Sequence, residues 1–188
     1  HNSESAIAAG VQVVTGDTKV VDKGKGDGIF INTSGIGTVD HSLNISPKNI
    51  QIGDVIIING DIGRHGIAIM AEREGLEFEH KIVSDCAPLN ELVKNIIDAG
   101  IDVHCLRDLT RGGLSSTLNE LSVSSGSEML IDELLVSVNE DVRGACEILG
   151  FDPMYVANEG KFIAIVSKAD SEKCLSVMKS HKYGVDSV

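Results

Sequence analysis

The sequence predicts an α/β fold in which short aliphatic strands are covered by helices. Apolar residues make up 42% of the 188 residues but aromatic residues only 3%, so the core must be built from Val, Ile, Leu and Ala. Cores of this kind are typical of buried strands packed under helices. Near residues 47–53 the pattern also changes, from strands and turns to alternating strands and helices. This change predicts a domain boundary, with one domain at 1–46 and another at 47–188.

The charge balance argues against nucleic-acid binding. Sixteen basic residues against 28 acidic ones give a net charge of −12, whereas phosphate backbones attract the opposite sign. No apolar run reaches the roughly 18 residues that a membrane span needs, so no membrane contact is expected. Any anionic ligand would therefore be held by local cations, backbone N–H groups or a metal.

The four cysteines indicate a reducing compartment. They form no CxxC pair, and with the histidines they give no spacing typical of a zinc site. Three of them lie in apolar periodic stretches, where a buried free thiol is the expected state. The protein is therefore expected to be cytoplasmic. The cysteines are Cys86, Cys105, Cys146 and Cys174.

The first part of the chain predicts short extended elements. The end of a helix over residues 1–10 precedes three strands, which are predicted at residues 11–15, 29–33 and 38–44. A Gly-rich hairpin at residues 22–28 superficially resembles a dinucleotide-binding loop. It leads into a strand and does not open a helix, so that interpretation fails.

Beyond residue 53 the pattern predicts strands alternating with helices. Strands are predicted at residues 55–58, 103–106, 129–138 and 161–166. Helices are predicted up to about residue 74, over residues 88–99, after residue 113, from residue 140 and around residues 174–178. Ser137 and Glu140 fit a capping box for the fourth of these helices. The second has one clean apolar face, formed by Leu89, Leu92, Val93, Ile96 and Ile97.

Four polar junctions interrupt this apolar pattern. They cover residues 16–19, 60–66, 107–113 and 158–161. Ligands of open α/β sheets bind beyond the strand ends, and helix N-termini offer free N–H groups to anions. Two junctions place an arginine beside glycine, Arg64 in one and Arg111 with Gly112 and Gly113 in the other. This combination suits an oxyanion grip with close backbone approach.

The first junction, residues 16–19, is predicted to form one side of a site that binds phosphate and a metal ion. Burying its polar groups unpaired would cost roughly 2–7 kcal/mol each. Asp17 is of the type that holds a metal, Thr18 donates to phosphate oxygens, and Lys19 supplies a mobile positive charge. The alternative is an ordinary polar hairpin corner.

The other junctions have equally plain alternatives. Arg64 and His65 fit a role that only caps or flanks a helix. Arg107 and Asp108 fit an ordinary surface ion pair. Glu159 fits an exposed residue of a polar turn.

Five segments carry a resemblance to the HypE hydrogenase maturation factors, within the AIR synthase-related (PurM-like) superfamily. The similarity extends from about residue 10 to residue 184, and the last segment is long and distinctive. The segments are residues 14–21 (VTGDTKVV), 26–37 (GDGIFINTSGIG), 64–66 (RHG), 106–114 (LRDLTRGGL) and 143–161 (RGACEILGFDPMYVANEGK).

The resemblance implies a PurM-like architecture and an ATP-dependent reaction. Residues 1–46 would be the end of an N-terminal β-rich, ATP-binding dimerisation domain, and residues 47–188 a C-terminal α/β sandwich domain, truncated at its end. A HypF-like carbamoyltransferase would load a carbamoyl group on a C-terminal cysteine, which this chain lacks. ATP would drive its dehydration to thiocyanate, and a HypC–HypD complex would receive the cyanide for nickel–iron hydrogenase. The chain alone is therefore expected to be inactive.

The resemblance also suggests roles for the residues of the junctions. Asp17 would hold Mg²⁺ with Thr18 beside it, and Lys19 would stabilise the transferred phosphoryl group. Glu159 would be the base that removes the amide protons. The expected nucleotide-positioning residues are Arg64, Arg111, Gly112, Gly113 and Asn158.

Two other functions remain open at this stage. One is a different ATP-dependent PurM-like enzyme, of the selenophosphate synthetase or thiamine-phosphate kinase type. The other is a non-catalytic module whose acidic surface docks maturation partners.

Overall fold

The computed structural model describes residues 2–26, 28–76, 78 and 80–188. The chain divides into two compact units, residues 1–42 and 43–188. Residue 1 of the predicted first helix and residue 27 of the predicted Gly-rich hairpin lie outside the described residues. The assignment of residues 1–46 and 47–188 to two domains of the family stays a prediction.

The first unit contains one helix and extended chain. Helix α1 spans Asn2–Ala8, and Gly10 follows it in the left-handed region with a φ of 67°. The predicted strands at 11–15, 29–33 and 38–44 are wrong, because the described residues there form no strand. Their apolar side chains are exposed, for example Val14 at 87% and Ile29 at 90%. An alternating apolar pattern indicates that the chain is extended. A β-strand also needs a neighbouring strand to which it is hydrogen-bonded.

The second unit alternates strands and helices largely as predicted. Its helices and strands are β1 (Val55–Ile58), α2 (Arg64–Glu74), α3 (Asn90–Asp98), β2 (Val103–Asp108), α4 (Gly113–Ser125), α5 (Glu140–Leu149), β3 (Phe162–Val166) and α6 (Ser171–Lys179). Short 3₁₀ turns lie at Pro47–Asn49, Glu133–Leu135, Pro153–Tyr155 and Lys168–Asp170. None of the helices in the described residues has the length and apolar composition needed to cross a membrane.

Two local predictions in this unit are wrong. Residues 129–138 form no strand but include the 3₁₀ turn Glu133–Leu135, because the Asp132 carboxylate accepts from Leu134 N–H and caps that turn. The predicted capping box of Ser137 and Glu140 is also wrong. The cap of α5 is Asn139, whose side chain accepts from the backbone N–H of Asp141.

The three strands form an antiparallel sheet in the order β1-β3-β2. Val166 lies opposite Val55 on one side and Val103 on the other. All five residues of the central strand β3 are buried. The mixture of helices with this sheet is the predicted α/β (α+β) sandwich, in which the strand ends carry the polar junctions.

The core packs on both faces of the sheet. Leu92 and Ile96 of α3 pack with α6 on one face, while Leu114 and Leu118 of α4 pack on the other. Three of the four free cysteines are buried as expected. Burial raises the pKa of the Cys174 thiol to about 11. Only Cys86 is exposed among the four cysteines.

A buried histidine joins β2 to the start of β1. His104 is 8% exposed, and its Nδ1 lies 2.7 Å from Asp54 Oδ2 while its Nε2 lies 3.2 Å from Asp102 Oδ2. Burial disfavours the charged ring, but the two carboxylates outweigh it and raise the pKa of His104 above 6.5. Protonated His104 therefore stabilises the fold. This contribution is full below the unfolded pKa and is lost as pH rises through the higher folded pKa.

We expect His104→Gln to remove this pH dependence. Each unit by which folding raises the pKa corresponds to about 1.4 kcal/mol of unfolding free energy. The measurement is urea unfolding of both proteins between about pH 5 and about pH 9, around the ordinary histidine pKa. The loss should be largest at low pH and shrink as pH rises. A difference that does not change with pH would contradict this account of His104.

Candidate active site

A turn at residues 158–160 precedes β3 and is anchored from several sides. Asn158 is fully buried, and its Oδ1 accepts from Gly63 N–H at 2.7 Å. Its Nδ2 donates to Leu109 O at 3.0 Å and to Val156 O at 3.2 Å. The side chain therefore ties the turn to the start of α2 and the end of β2. Nucleotide binding by Asn158 stays a prediction, and its contacts here give it a positioning role.

Asp85 holds the next two residues of the turn. Its Oδ1 accepts from Glu159 N–H at 2.9 Å and from Gly160 N–H at 3.3 Å, and the residue is 8% exposed. On the other side, Asn59 Nδ2 donates to Gly160 O at 3.1 Å, and Asn59 Oδ1 accepts from Phe162 N–H at 2.8 Å. The backbone that carries Glu159 is therefore fixed by buried hydrogen bonds.

The Glu159 side chain itself extends into solvent beside a histidine. It is 45% exposed, and its Oε1 lies 3.8 Å from His65 Nε2. His65 Nδ1 lies 2.8 Å from Ser84 Oγ, which donates to Cys86 Sγ at 3.2 Å. An exposed carboxylate on a rigid backbone is the arrangement that a general base needs, since it reaches a substrate without losing its position.

A second carboxylate near the turn is shared by two cations. Arg64 Nε lies 2.8 Å from Asp61 Oδ2, and its Nη2 donates to Asp61 Oδ1 at 2.9 Å. Lys161 Nζ lies 3.1 Å from the same Oδ1. Arg64 and Lys161 line a cavity of about 230 Å³, which Asp85 and Lys182 also border. Charges of both signs therefore converge beside the turn.

We expect Asp61→Ala to destabilise the protein strongly. Lys161 is only 7% exposed, so the substitution leaves a buried ammonium without its carboxylate, at a cost of about 3–5 kcal/mol. The double variant Asp61→Ala/Lys161→Met no longer contains this buried ammonium, so it should recover much of the lost free energy of unfolding, measured with urea. Glu120→Ala, which removes an exposed partner of Arg107, is the control and should cost at most about 1 kcal/mol. If Asp61→Ala alone lowers the free energy of unfolding only slightly, Asp61 is not the carboxylate that compensates the buried charge of Lys161.

The glycines of the 107–113 junction are explained by packing. A Cβ on Gly113 would lie 2.6 Å from Met154 O and 2.7 Å from Val156 O, and the residue has a φ of 63°. Helix α4 therefore begins against the backbone of the 153–157 segment. Arg111 is exposed. Nucleotide positioning by Arg111, Gly112 and Gly113 stays a prediction.

The remaining residues of this junction form the ordinary surface ion pair that was the alternative to a ligand site. Arg107 forms ion pairs with Asp108 at 2.9 Å and with Glu120 at 3.0 Å on the exposed surface. Thr110 Oγ1 donates to Asp108 Oδ2 at 2.7 Å. These contacts stay within the chain and do not point to a ligand.

The 16–19 junction lies in the first unit and is exposed. Asp17 Oδ1 accepts from Thr18 N–H at 2.8 Å. Among the described residues, no group of three or more His, Cys, Asp or Glu side chains is placed to hold a metal ion. The roles of Asp17, Thr18 and Lys19 stay predictions.

A larger apolar groove lies elsewhere in the second unit. It has a volume of about 630 Å³ and runs along β1 and the 126–136 segment. Its lining is mostly aliphatic and includes none of the polar residues around Glu159. The larger cavity therefore lacks the polar side chains that surround Glu159, and the smaller cavity beside the 158–160 turn is the better candidate for an active site.

Sequence reasoning missed several residues of this site. The sequence pattern does not point to Asp85 or Ser84, and for His65 it leaves a helix-flanking role and a functional role equally open. The available signal was a polar run, Ser84–Asp85–Cys86, just before Pro88 and between two predicted helices. Nothing in that run indicates its approach to a turn 74 residues later.

Comparison with known proteins now settles the family. The model of the AIR synthase related protein, C-terminal domain, matches residues 51–186. The chain belongs to this family. Its second unit, residues 43–188, contains the whole matched region.

Individual members of this AIR synthase-related family give a finer similarity. The chain is 49% identical over 180 residues to the carbamoyl dehydratase HypE of Cupriavidus necator, which covers 96% of this chain and 51% of that protein. The chain thus spans about half the length of the curated relatives it matches. A crystal structure of a HypE–HypF complex matches with a TM-score of 0.95 and 48% identity, over 98% of this chain and 61% of that chain.

A third match is a crystal structure of HypE in complex with ATP. It has a TM-score of 0.85 and 38% identity, over 98% of this chain and 55% of that chain. These matches confirm the resemblance to HypE and the PurM-like fold that the sequence predicted.

Proposed function

We propose that the protein to which this chain belongs is an ATP-dependent carbamoyl dehydratase of the HypE type. The observation that carries the proposal is the position of Glu159. Its backbone is fixed by Asp85 and Asn59, while its carboxylate is 45% exposed. The similarity to carbamoyl dehydratase HypE over 96% of the chain supports the same reaction.

The chemistry explains why a base and ATP are both needed. A carbamoyl group on a cysteine thiol is an amide, and its oxygen is a poor leaving group. Attack of that oxygen on the γ-phosphorus of ATP releases ADP and makes the oxygen part of a phosphate. The phosphate then leaves as the C≡N bond forms, and the nitrogen loses two protons in total. Glu159 is the proposed acceptor of these protons.

The nucleotide and its metal are proposed from the other junctions. The ATP-bound HypE structure supports nucleotide use, with Arg64 and Arg111 as candidate phosphate ligands beside the backbone of Gly112 and Gly113. Asp17 fits Mg²⁺ because its carboxylate is exposed and oxygen is the preferred ligand of that ion. Mg²⁺ would neutralise charge on the phosphates, and Lys19 would stabilise the transferred phosphoryl group.

The proposed partners follow the same relatives. A HypF-like carbamoyltransferase would load the cysteine, as the HypE–HypF complex suggests for that protein. A HypC–HypD complex would receive the cyanide, and the protein would act as a homodimer. Three buried free cysteines and an exposed fourth suit the reducing cytoplasm.

Intact mass of the full-length protein tests this function. The protein would be incubated with a HypF-like carbamoyltransferase, carbamoyl phosphate and ATP. The expected result is a carbamoyl adduct that then loses one water. An adduct that forms but never loses water would favour the docking alternative. No adduct, with an active carbamoyltransferase, would favour another PurM-like activity.

A further inference from the structure

The cavity of about 230 Å³ beside the 158–160 turn is bordered by a buried acceptor that has no donor. Asp85 is 8% exposed, and its Oδ1 accepts from the N–H groups of Glu159 and Gly160. Its Oδ2 is also buried, but no described residue donates to it. Buried polar atoms of folded proteins are nearly always hydrogen-bonded. A ligand that carries an N–H group would supply the missing donor.

Lys182 provides a positive charge at the border of the same cavity. It is exposed, and its Nζ lies 4.6 Å from the centroid of the Tyr183 ring. In the described part of the chain it pairs with no carboxylate, whereas Arg64 and Lys161 share the carboxylate of Asp61. Lys182 is therefore the cation of this cavity that is left to meet a carboxylate of a ligand.

Cys86 adds a thiol to the cavity lining. Its Sγ lies 3.2 Å from Ser84 Oγ and 3.8 Å from His65 Nδ1. Cys86 is exposed, whereas the other three cysteines are buried. Burial raises the pKa of those three thiols, and it is the thiolate that attacks a disulfide. An accessible thiol among cations is the setting of a reactive cysteine.

From this arrangement we infer that Cys86 is a modification site, which forms a mixed disulfide with a small acidic peptide thiol. The peptide N–H groups of such a molecule match Asp85 Oδ2, and its carboxylates match Lys182. The Cys86 thiolate attacks one sulfur of the corresponding disulfide, and the S–S bond breaks. The other half leaves as a thiolate. Cys86 is thereby oxidised, the departing half is reduced and takes up a proton, and the proton of the Cys86 thiol goes to solvent.

The adduct would stand close to the proposed base. The His65 ring lies between the two groups, with Nδ1 3.8 Å from Cys86 Sγ and Nε2 3.8 Å from Glu159 Oε1. A peptide thiol on Cys86 would therefore obstruct access to Glu159 and stop dehydration until a thiol removes it. This consequence rests on the proposed function, whereas the modification itself does not.

The rate of modification tests the site. Full-length protein would be treated with glutathione disulfide and, separately, with bis(2-hydroxyethyl) disulfide, which is uncharged and has no peptide groups. The adduct on Cys86 would be measured by peptide mass spectrometry, and each rate divided by that of a synthetic peptide of residues 82–90. We expect the normalised rate to be on the order of 10-fold higher for glutathione disulfide. Lys182→Gln should remove much of this preference, and Lys179→Gln, which changes an exposed lysine outside the cavity, should keep it.

Dehydration tests the consequence. The C-terminal cysteine would be carbamoylated first, so that it cannot react, and glutathione disulfide would be added before ATP. We expect water to be lost only by the fraction of the protein that carries no adduct on Cys86. Cys86→Ser should lose water at the same rate with and without this treatment.

Three results would overturn the inference. Cys86 that stays unmodified in the folded protein would show that its thiol is not available. Equal normalised rates for the two disulfides, or a preference that survives Lys182→Gln, would show that the cavity does not select the acidic peptide. Normal dehydration by protein that carries the adduct would remove the regulatory consequence. If even untreated protein fails to dehydrate, the proposed function is wrong, and the rates of adduct formation still decide whether Cys86 is the modification site.

Discussion

Full-length protein carrying Glu159→Gln is expected to accept a carbamoyl group but to lose water from it about 10²–10⁴-fold more slowly. The amide keeps the size of the carboxylate and leaves the N–H bonds to Asp85 in place, so only the basic oxygen is lost. The rate would be followed by intact mass in the presence of ATP.

The matched control for this prediction is Glu147→Gln. Glu147 is an exposed residue of α5, and its substitution should leave the rate unchanged. Unfolding curves of both variants should coincide with that of the wild type. If the Glu159→Gln protein loses water as fast as the control, Glu159 is not the base of this reaction.

Replacing Gly160 by alanine should damage both stability and activity. A Cβ at this position would lie 1.9 Å from Asp85 O and 2.9 Å from Ala87 N, and both are backbone atoms. The turn must then move away from the 85–87 segment and lose its two hydrogen bonds to Asp85. We expect the free energy of unfolding to fall by about 3 kcal/mol or more.

Urea unfolding measures the first effect and the dehydration rate the second. Gly144→Ala is the control, because Gly144 lies in α5 and a Cβ there meets nothing within 4 Å. That variant should gain about 0.5–1 kcal/mol from improved helix propensity. If the two alanine variants unfold alike, the turn is not held against the 85–87 segment.

The helices of the second unit could be predicted because their periodicity is local. Leu92 and Ile96 recur every four residues, and both are fully buried in α3. The strands predicted before residue 45 are wrong for the opposite reason, because strand formation is not local. Alternation at 11–15 or 29–33 shows that the chain is extended, but pairing depends on a neighbouring strand that the pattern does not encode.

The candidate site was predicted only where its residues stand beside glycine at a strand end. Glu159 and Arg64 were found in this way. Asp85 was missed because its role depends on two segments meeting in the fold, 74 residues apart. His65 was noticed, but its approach to Glu159 and Ser84 likewise depends on tertiary structure.

The fate of the carbamoyl oxygen tests the central claim most directly. The claim is that the full-length protein uses ATP to convert this oxygen into a phosphate leaving group. The measurement is a single turnover of protein carrying a carbamoyl group labelled with heavy oxygen, followed by mass spectrometry of the released phosphate. The account predicts that the label appears in inorganic phosphate. Label found in water, with unlabelled phosphate, would contradict it.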